Sequence, residues 1–207
     1  MNDRFLGLVS CLFGFSAIFL NACSGSELAQ TKPSSSPTAA SKPAAVSDSG
    51  LEFEAPSEWI REPPSSSMRL AQYRLPRVEG DSEDAELVIY YFRGGGSVQA
   101  NVDRWIGQFS KADGSPANDV AQVSEKDSHG LHLTIVDVIG TYHQSRGPMM
   151  AQTQTKPNYR MLAAVAEAAG GPWFFKLTGP QSTVDDWEDS FYSFLDTLRV
   201  RRYVPGQ

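Results

Sequence analysis

The chain has 207 residues, 41% of them hydrophobic and 20% charged, which suits one globular domain with additional segments. Its net charge is -6 and its pI about 5.1, and its arginines gather only at Arg199, Arg201 and Arg202. That balance excludes general nucleic-acid binding, which needs a basic footprint to displace counterions.

The first residues, "MNDRFLGLVSCLFGFSAIFLNAC", predict an export signal over 1–22. A polar start carries Arg4, and an apolar run from Phe5 to Leu20 follows that is too short for a permanent helical span. The run ends in Leu20-Asn21-Ala22-Cys23, which resembles the bacterial lipoprotein processing box. In signals of that kind the cysteine receives a diacylglycerol and becomes the new N-terminus, so lipidation is expected at Cys23; an ordinary secretory cut near Ala22 is the alternative. Two or more acyl chains anchor stably, because each buried methylene contributes about 0.8 kcal/mol. Ser24 behind the cysteine favours the outer membrane under the sorting rule of enteric bacteria, with the domain facing the periplasm. The only cysteines are Cys11 and Cys23, so the domain beyond has no thiol for a disulfide, a metal or catalysis.

Residues 23–50 change to Ser, Ala, Pro and Lys, in "SGSELAQTKPSSSPTAASKPAAVSDSG". With hardly any large apolar side chains, this stretch cannot offset its chain entropy by burial and predicts a flexible tether. About 27 residues of such chain reach on the order of 30 Å.

A folded domain is expected over 51–200, with a tail at 201–207. "LEFEAPSEW" begins with a short strand carrying Leu51 and Phe53. "MRLAQYRLP" reads as a half-buried strand, and "AELVIYYF" as a central one. After Gly94-Gly95-Gly96, the apolar residues Val98, Val102, Trp105, Ile106 and Phe109 mark one face of a helix with Ser97 as its cap. "AQVSEKD" and "LHLTIVDVIGTYH" read as strands joined at Ser128-His129-Gly130. "NYRMLAAVAEAAGGPWFFKLTGP" is alanine-rich, but its glycine turn and strand-like "WFFKLTG" predict an antiparallel hairpin. The last element, "STVDDWEDSFYSFLDTLRV", predicts one helix capped by Ser182, burying Val184, Trp187, Phe191, Phe194, Leu195 and Leu198. Arg199, Arg201 and Arg202 would then complement its C-terminal dipole. The layout is α+β, an antiparallel sheet with helices packed on its faces.

In "LEFEAPSEW", the crossing "GGGSVQANVDRWIGQF" and the late "WFFKLTGPQSTVDDWEDSFYSFLDTL", the chain resembles PsbP-like domains over about Leu51 to Val200. That family includes the extrinsic PsbP subunit of photosystem II, a nuclear Ran-binding protein and many bacterial lipoproteins. The resemblance implies an α/β/α sandwich in which a strand ending in Lys-Leu-Thr-Gly-Pro leads to a closing helix. It also implies partner binding or assembly rather than enzymatic activity, and no functional residue of the family carries over onto this sequence.

The residues themselves offer no catalytic constellation. No lysine follows Gly96 as a phosphate-binding Walker loop requires, and the Gly-x-Gly-x-x-Gly spacing of a dinucleotide fingerprint is missing. His129 and His132 sit three apart on a turn and strand without a completing ligand, so no zinc site is expected. Asp113, Asp119 and Asp127 lack calcium-loop spacing. Asp81, Glu83 and Asp84 read as a solubilising turn, and Asp185, Asp186, Glu188 and Asp189 as a solvated helix face. No Gly-x-Ser-x-Gly elbow occurs. No cofactor or metal is therefore expected.

Aromatics near the two glycine turns suggest a partner-facing surface made of Arg93, Gly94, Gly95, Gly96 and Trp173. Two readings follow. A tethered, non-enzymatic module for an envelope protein partner predicts an exposed apolar patch and no polar pocket. A periplasmic small-molecule or ion-binding domain predicts a concave site with converging Arg, Tyr or Asp groups.

Overall fold

The computed structural model describes residues 50–145 and 153–201. The expected leader, Cys23, the tether to residue 49, Arg202 and the rest of the tail lie outside the described residues.

In chain order the elements are β1 (Leu51–Glu52), β2 (Ile60–Glu62), β3 (Ala71–Leu75), β4 (Ala85–Tyr91), α1 (Val98–Ile106), β5 (Phe109–Ser110), β6 (Gln122–Ser128), β7 (Leu131–Ser145), β8 (Thr153–Ala168), β9 (Gly171–Pro180), α2 (Gln181–Asp186), α3 (Glu188–Leu195) and β10 (Arg199–Val200). Among the described residues eight strands form one antiparallel sheet in the order β2-β3-β4-β9-β8-β7-β5, with β6 also paired to β7. The alanine-rich segment is strand β8 despite its helical propensity, because Ala164 and Ala166 leave room for the aromatic layer beside it.

Alternation along the strands separates two cores. On one face Leu87, Ile89, Leu133, Ile135, Leu162, Phe175 and Leu177 pack under α2 and α3. Phe194 closes this layer edge-on against Phe53 and Phe175, at centroid distances of 5.5 and 5.6 Å. On the other face Val136, Val138, Met161, Val165 and Phe174 meet Val102, Trp105 and Ile106 of α1. This is the α/β/α layering that the resemblance implies, with a sheet much larger than its helices.

The structure corrects several expectations. Phe109 is not the last residue of α1 but the first of β5, paired with Tyr142. The helix stops at Gly107, and Phe109 stays buried on the same side, which prolongs the helical spacing in the sequence. The closing helix is two short helices broken at Trp187, whose indole N–H donates to the Pro76 carbonyl at 2.9 Å. Ser182 does not cap it. Asp81 does so from a distant turn, accepting from the Thr183 N–H at 2.9 Å and its hydroxyl at 2.6 Å. Arg199 and Arg201 are not dipole partners either. The chain turns back at Leu198, Arg199 and Val200 pair with β1, and Arg201 binds Glu52 at 2.9 Å.

Gly179 lets β9 approach β4. A Cβ there would lie 2.6 Å from the Cβ of Ala85 and 2.8 Å from its Cα, which no L side chain tolerates.

Candidate functional site

Helix α1 covers the sheet over β7, β8 and the nearer edge of β9, with Tyr90 of β4 at its margin. Over β3, β4 and the rest of β9 the same face carries polar side chains. One cross-strand row runs Gln72, Val88, Lys176, Ala163, and the next runs Arg74, Glu86, Thr178, Met161. The second helical layer is therefore incomplete, and the uncovered part is a cleft of about 530 Å³. Its lining includes Arg69, Arg74, Tyr90, Tyr142, Lys156, Tyr159 and Lys176, together with Glu62, Glu83, Asp84 and Glu86.

One wall depends on a β-bulge. Register between β7 and β8 shifts between Gly140 and Tyr142, where Pro157 and Asn158 together oppose Thr141. Asn158 takes a left-handed conformation with φ 55°, and Pro157 falls where the ladder is already interrupted. In a regular strand residues three apart face opposite sides. The extra residue puts Lys156 and Tyr159 on the same side, where both bind Glu83, the lysine at 2.8 Å and the tyrosine through its hydroxyl. Burial alone would raise the Glu83 carboxyl, but hydrogen bonds from Lys156 and Tyr159 outweigh it and hold it below the usual range.

The remaining acids of the cleft are held in the same manner. Arg74 bridges Glu62 and Asp84 at 2.9 Å each, and Arg69 binds Glu86 at 2.7 Å. Each carboxylate thus has a cation of its own or shares one.

Lys176 is the exception. Among the described residues it has no carboxylate within ion-pair distance; its ammonium donates to the side-chain oxygen of Gln108 and lies 5.2 Å from the centroid of the Tyr142 ring. Desolvation, with Arg104 and Arg69 adding positive charge nearby, pushes its amine down to about 8. Burial also raises the Tyr142 hydroxyl to about 12 and displaces Tyr90 in the same direction. Tyr142 stacks between Phe109 and Tyr159, at 5.1 and 5.9 Å, so the wall beside Lys176 is rigid and aromatic. Thr178, next on the same face of β9, has a buried hydroxyl without a hydrogen-bond partner among the described residues.

The surface expected from the sequence is only partly assembled. Arg93, Gly94 and Gly96 are exposed in the turn before α1, and Gly95 is partly covered. Trp173 does not join them. Its side chain is fully buried on the α2/α3 side, 5.0 Å from the Tyr91 ring. The residue next to the turn that does reach solvent is Phe92, 37% exposed.

The glycine turn has a structural account. Gly94 and Gly96 have φ of 70° and 82°, and the Ser97 hydroxyl accepts from the Ala100 N–H at 3.1 Å. Asn101 ties the turn to the helix by donating to the carbonyls of Gly95 and Ser97.

The histidines are separated: His129 contacts the Asp196 carbonyl, His132 pairs with Asp127, and His143 meets the Ser110 hydroxyl. Among the described residues no group of three His, Cys, Asp or Glu is placed to hold a metal ion.

Two acidic stretches that read as solvated surface have structural partners. Asp81, Glu83 and Asp84 cap α2, hold Lys156 and hold Arg74, respectively. Asp185 and Glu188 each bind Arg160 at 2.7 Å.

The sequence did not single out Lys176, Tyr142 or Lys156 as site residues: Lys176 opens the Lys-Leu-Thr-Gly-Pro run, which carried only a fold resemblance, and Tyr142 and Lys156 have no motif around them. A signal was present in Pro157-Asn158, a bulge-prone pair inside a strand pattern, and in Lys176, a lone charge within "WFFKLTG".

No family model matches the chain, and no curated protein matches it. Solved structures similar to it include the cyanobacterial PsbP, CyanoP, of Synechocystis sp. PCC 6803, at 16% identity over 76% of this chain and 91% of that one, with a TM-score of 0.46. LpqN of Mycobacterium tuberculosis, involved in cell envelope biogenesis, is 12% identical over 78% of this chain and 90% of its own, with a TM-score of 0.44. A Pseudomonas aeruginosa protein of unknown function, PA94, is 15% identical over 64% and 83%, with a TM-score of 0.42. Likenesses this distant assign no ligand, partner or activity to the chain.

Proposed function

We propose that this chain is a binding domain, not an enzyme, held at the bacterial cell envelope through lipid on Cys23, and that it takes a small polar ligand in the cleft over β3, β4 and β9. The observation that carries the ligand reading is the cleft itself. It has a volume of about 530 Å³, within the usual range for small-molecule sites, and Arg69, Arg74, Tyr90 and Tyr142 converge on it. A polar concave site of this kind is what separates a ligand-binding domain from a protein-docking module, so the small-molecule reading moves ahead of partner assembly. The carboxylates of the lining are each paired with a cation, which favours a binding role for them over carboxylate acid–base chemistry.

A protein partner at the turn before α1 is the second reading, favoured by the exposure of Phe92 beside Arg93. Amide chemical-shift mapping of the full chain in detergent, against a panel of small polar metabolites, decides between them. Perturbations at Tyr90, Tyr142 and Lys176 support the cleft; a panel without effect, together with an envelope protein captured through Phe92, overturns it. For the anchor, Cys23→Ser should abolish palmitate incorporation and release the chain from membranes, and unchanged labelling removes the lipid from the account.

A further inference from the structure

A half-buried cation without a counter-ion is costly, and folded chains normally supply the missing charge themselves. The cleft does so for Arg69, Arg74 and Lys156 but not for Lys176. We infer that the counter-charge of Lys176 arrives with the ligand: the cleft takes a small molecule bearing a carboxylate or phosphate group, which docks on the Lys176 ammonium beside the Tyr142 ring. This inference rests on the ligand-binding reading and sharpens it.

The surroundings of Lys176 favour an anion from each element packed against it. Arg69 faces it from the segment before β3 and Arg104 from α1; both repel the lysine's charge, and Glu86 on β4, itself bound to Arg69, offsets them in part. The amide side chain of Gln108, just after α1, accepts one ammonium proton, so the lysine's other N–H donors remain for a ligand. Tyr90 on β4 and Tyr142 on β7 stay protonated through the neutral range and can donate hydroxyl hydrogens to an incoming oxygen. On β8, Lys156 and Tyr159 are occupied by Glu83, which keeps that carboxylate off Lys176. An anion placed here neutralises the site and holds the proton on the lysine, so binding and protonation are linked. The amine loses its proton above about 8 in the empty cleft, and anion affinity should fall by about tenfold for each pH unit beyond that point.

The test uses the full chain in detergent, with succinate and inorganic phosphate as anionic probes and succinamide as a neutral probe of succinate's shape. Amide shifts around Lys176 and Tyr142 report binding, and the Lys176 side-chain nitrogen reports protonation. The inference expects succinate or phosphate to shift the cleft resonances, to raise the lysine's pKa, and to lose affinity at alkaline pH, while succinamide has little effect. Lys176→Met should remain folded and lose the anion response, and Lys176→Arg should keep it without the alkaline loss. A response confined to phosphate points to a phosphorylated ligand, and one confined to succinate to an organic acid; either supports the inference. Succinamide binding in the cleft as well as succinate, or an anion response that survives in Lys176→Met, overturns the inference and leaves the ligand-binding reading standing. Silence of all three probes throughout the cleft overturns both.

Discussion

Arg160 on β8 and Asp137 on β7 face each other through a two-bonded fork, Nε to Oδ1 at 3.0 Å and Nη2 to Oδ2 at 2.7 Å. The same guanidinium reaches Asp185 of α2 and Glu188 of α3, so one side chain, 7% exposed, fastens both closing helices to the sheet. Hydrogen bonds to Asp137 above all, then to Glu188 and Asp185, hold the guanidinium's pKa far above its ordinary value. Arg160→Ala leaves three carboxylates around an empty site and should cost about 3–5 kcal/mol in urea denaturation. Arg160→Lys should recover only part of this, since an ammonium cannot form the fork. A loss below about 1 kcal/mol in the alanine variant would show the cluster to be an ordinary surface network.

Lys176 makes stability depend on pH in a defined direction. Its folded pKa, about 8, lies below the ordinary 10.5, so the unfolded chain binds the extra proton between those values. Stability therefore rises with pH from about 8 toward 10.5. Near the upper end the raised hydroxyls of Tyr90 and Tyr142 begin to act oppositely, because folding disfavours their ionised forms. Lys176→Met removes the lysine's contribution and should be more stable than the parent at neutral pH, by on the order of 3 kcal/mol, with the gap closing as the solution becomes alkaline. Thermal melts of both proteins across that range measure it; a constant gap would mean that Lys176 is not desolvated.

The antiparallel α+β layout was legible because "AELVIYYF" and "WFFKLTG" supply the buried apolar runs of β4 and β9, with alternation only toward their charged ends. The charged half of that alternation was harder to interpret. Glu86, Lys176 and Thr178 look in sequence like the wet side of a strand, and only the register that sets them side by side makes them a cleft floor. Trp173 shows the opposite failure. It neighbours a glycine turn in sequence, but period-two alternation sends its ring to the core side with Phe175. Arg160 was missed because its carboxylates come from 23 to 28 residues away.

The turn before α1 separates two roles for its glycines. Gly96 has φ 82° and Gly95 does not share this feature; a Cβ on Gly95 would instead press on Phe92 and Phe174 at 3.0–3.2 Å. Gly96→Ala should cost about 1–2 kcal/mol through left-handed strain. Ser97→Ala should cost about 1 kcal/mol through the lost cap. Denaturant titration of each variant checks this, and an unchanged Gly96→Ala midpoint would show that the turn relaxes at no cost.

The bulge at Pro157-Asn158 gives the sharpest link between backbone and site. Its extra residue is what turns both Lys156 and Tyr159 toward Glu83, and Asn158 sustains the required positive φ of 55°. Asn158→Gly fits that conformation and should leave both stability and the cleft nearly unchanged. Asn158→Val resists it by about 1–2 kcal/mol, and its cheapest escape is a register slip that sends Lys156 or Tyr159 to the other face of the sheet. The valine variant should therefore lose anion-induced shifts at Tyr142 and Tyr159 as well as stability, and Asn158→Gly should lose neither. If the valine variant lost stability alone, the bulge would be a packing feature with no part in shaping the cleft.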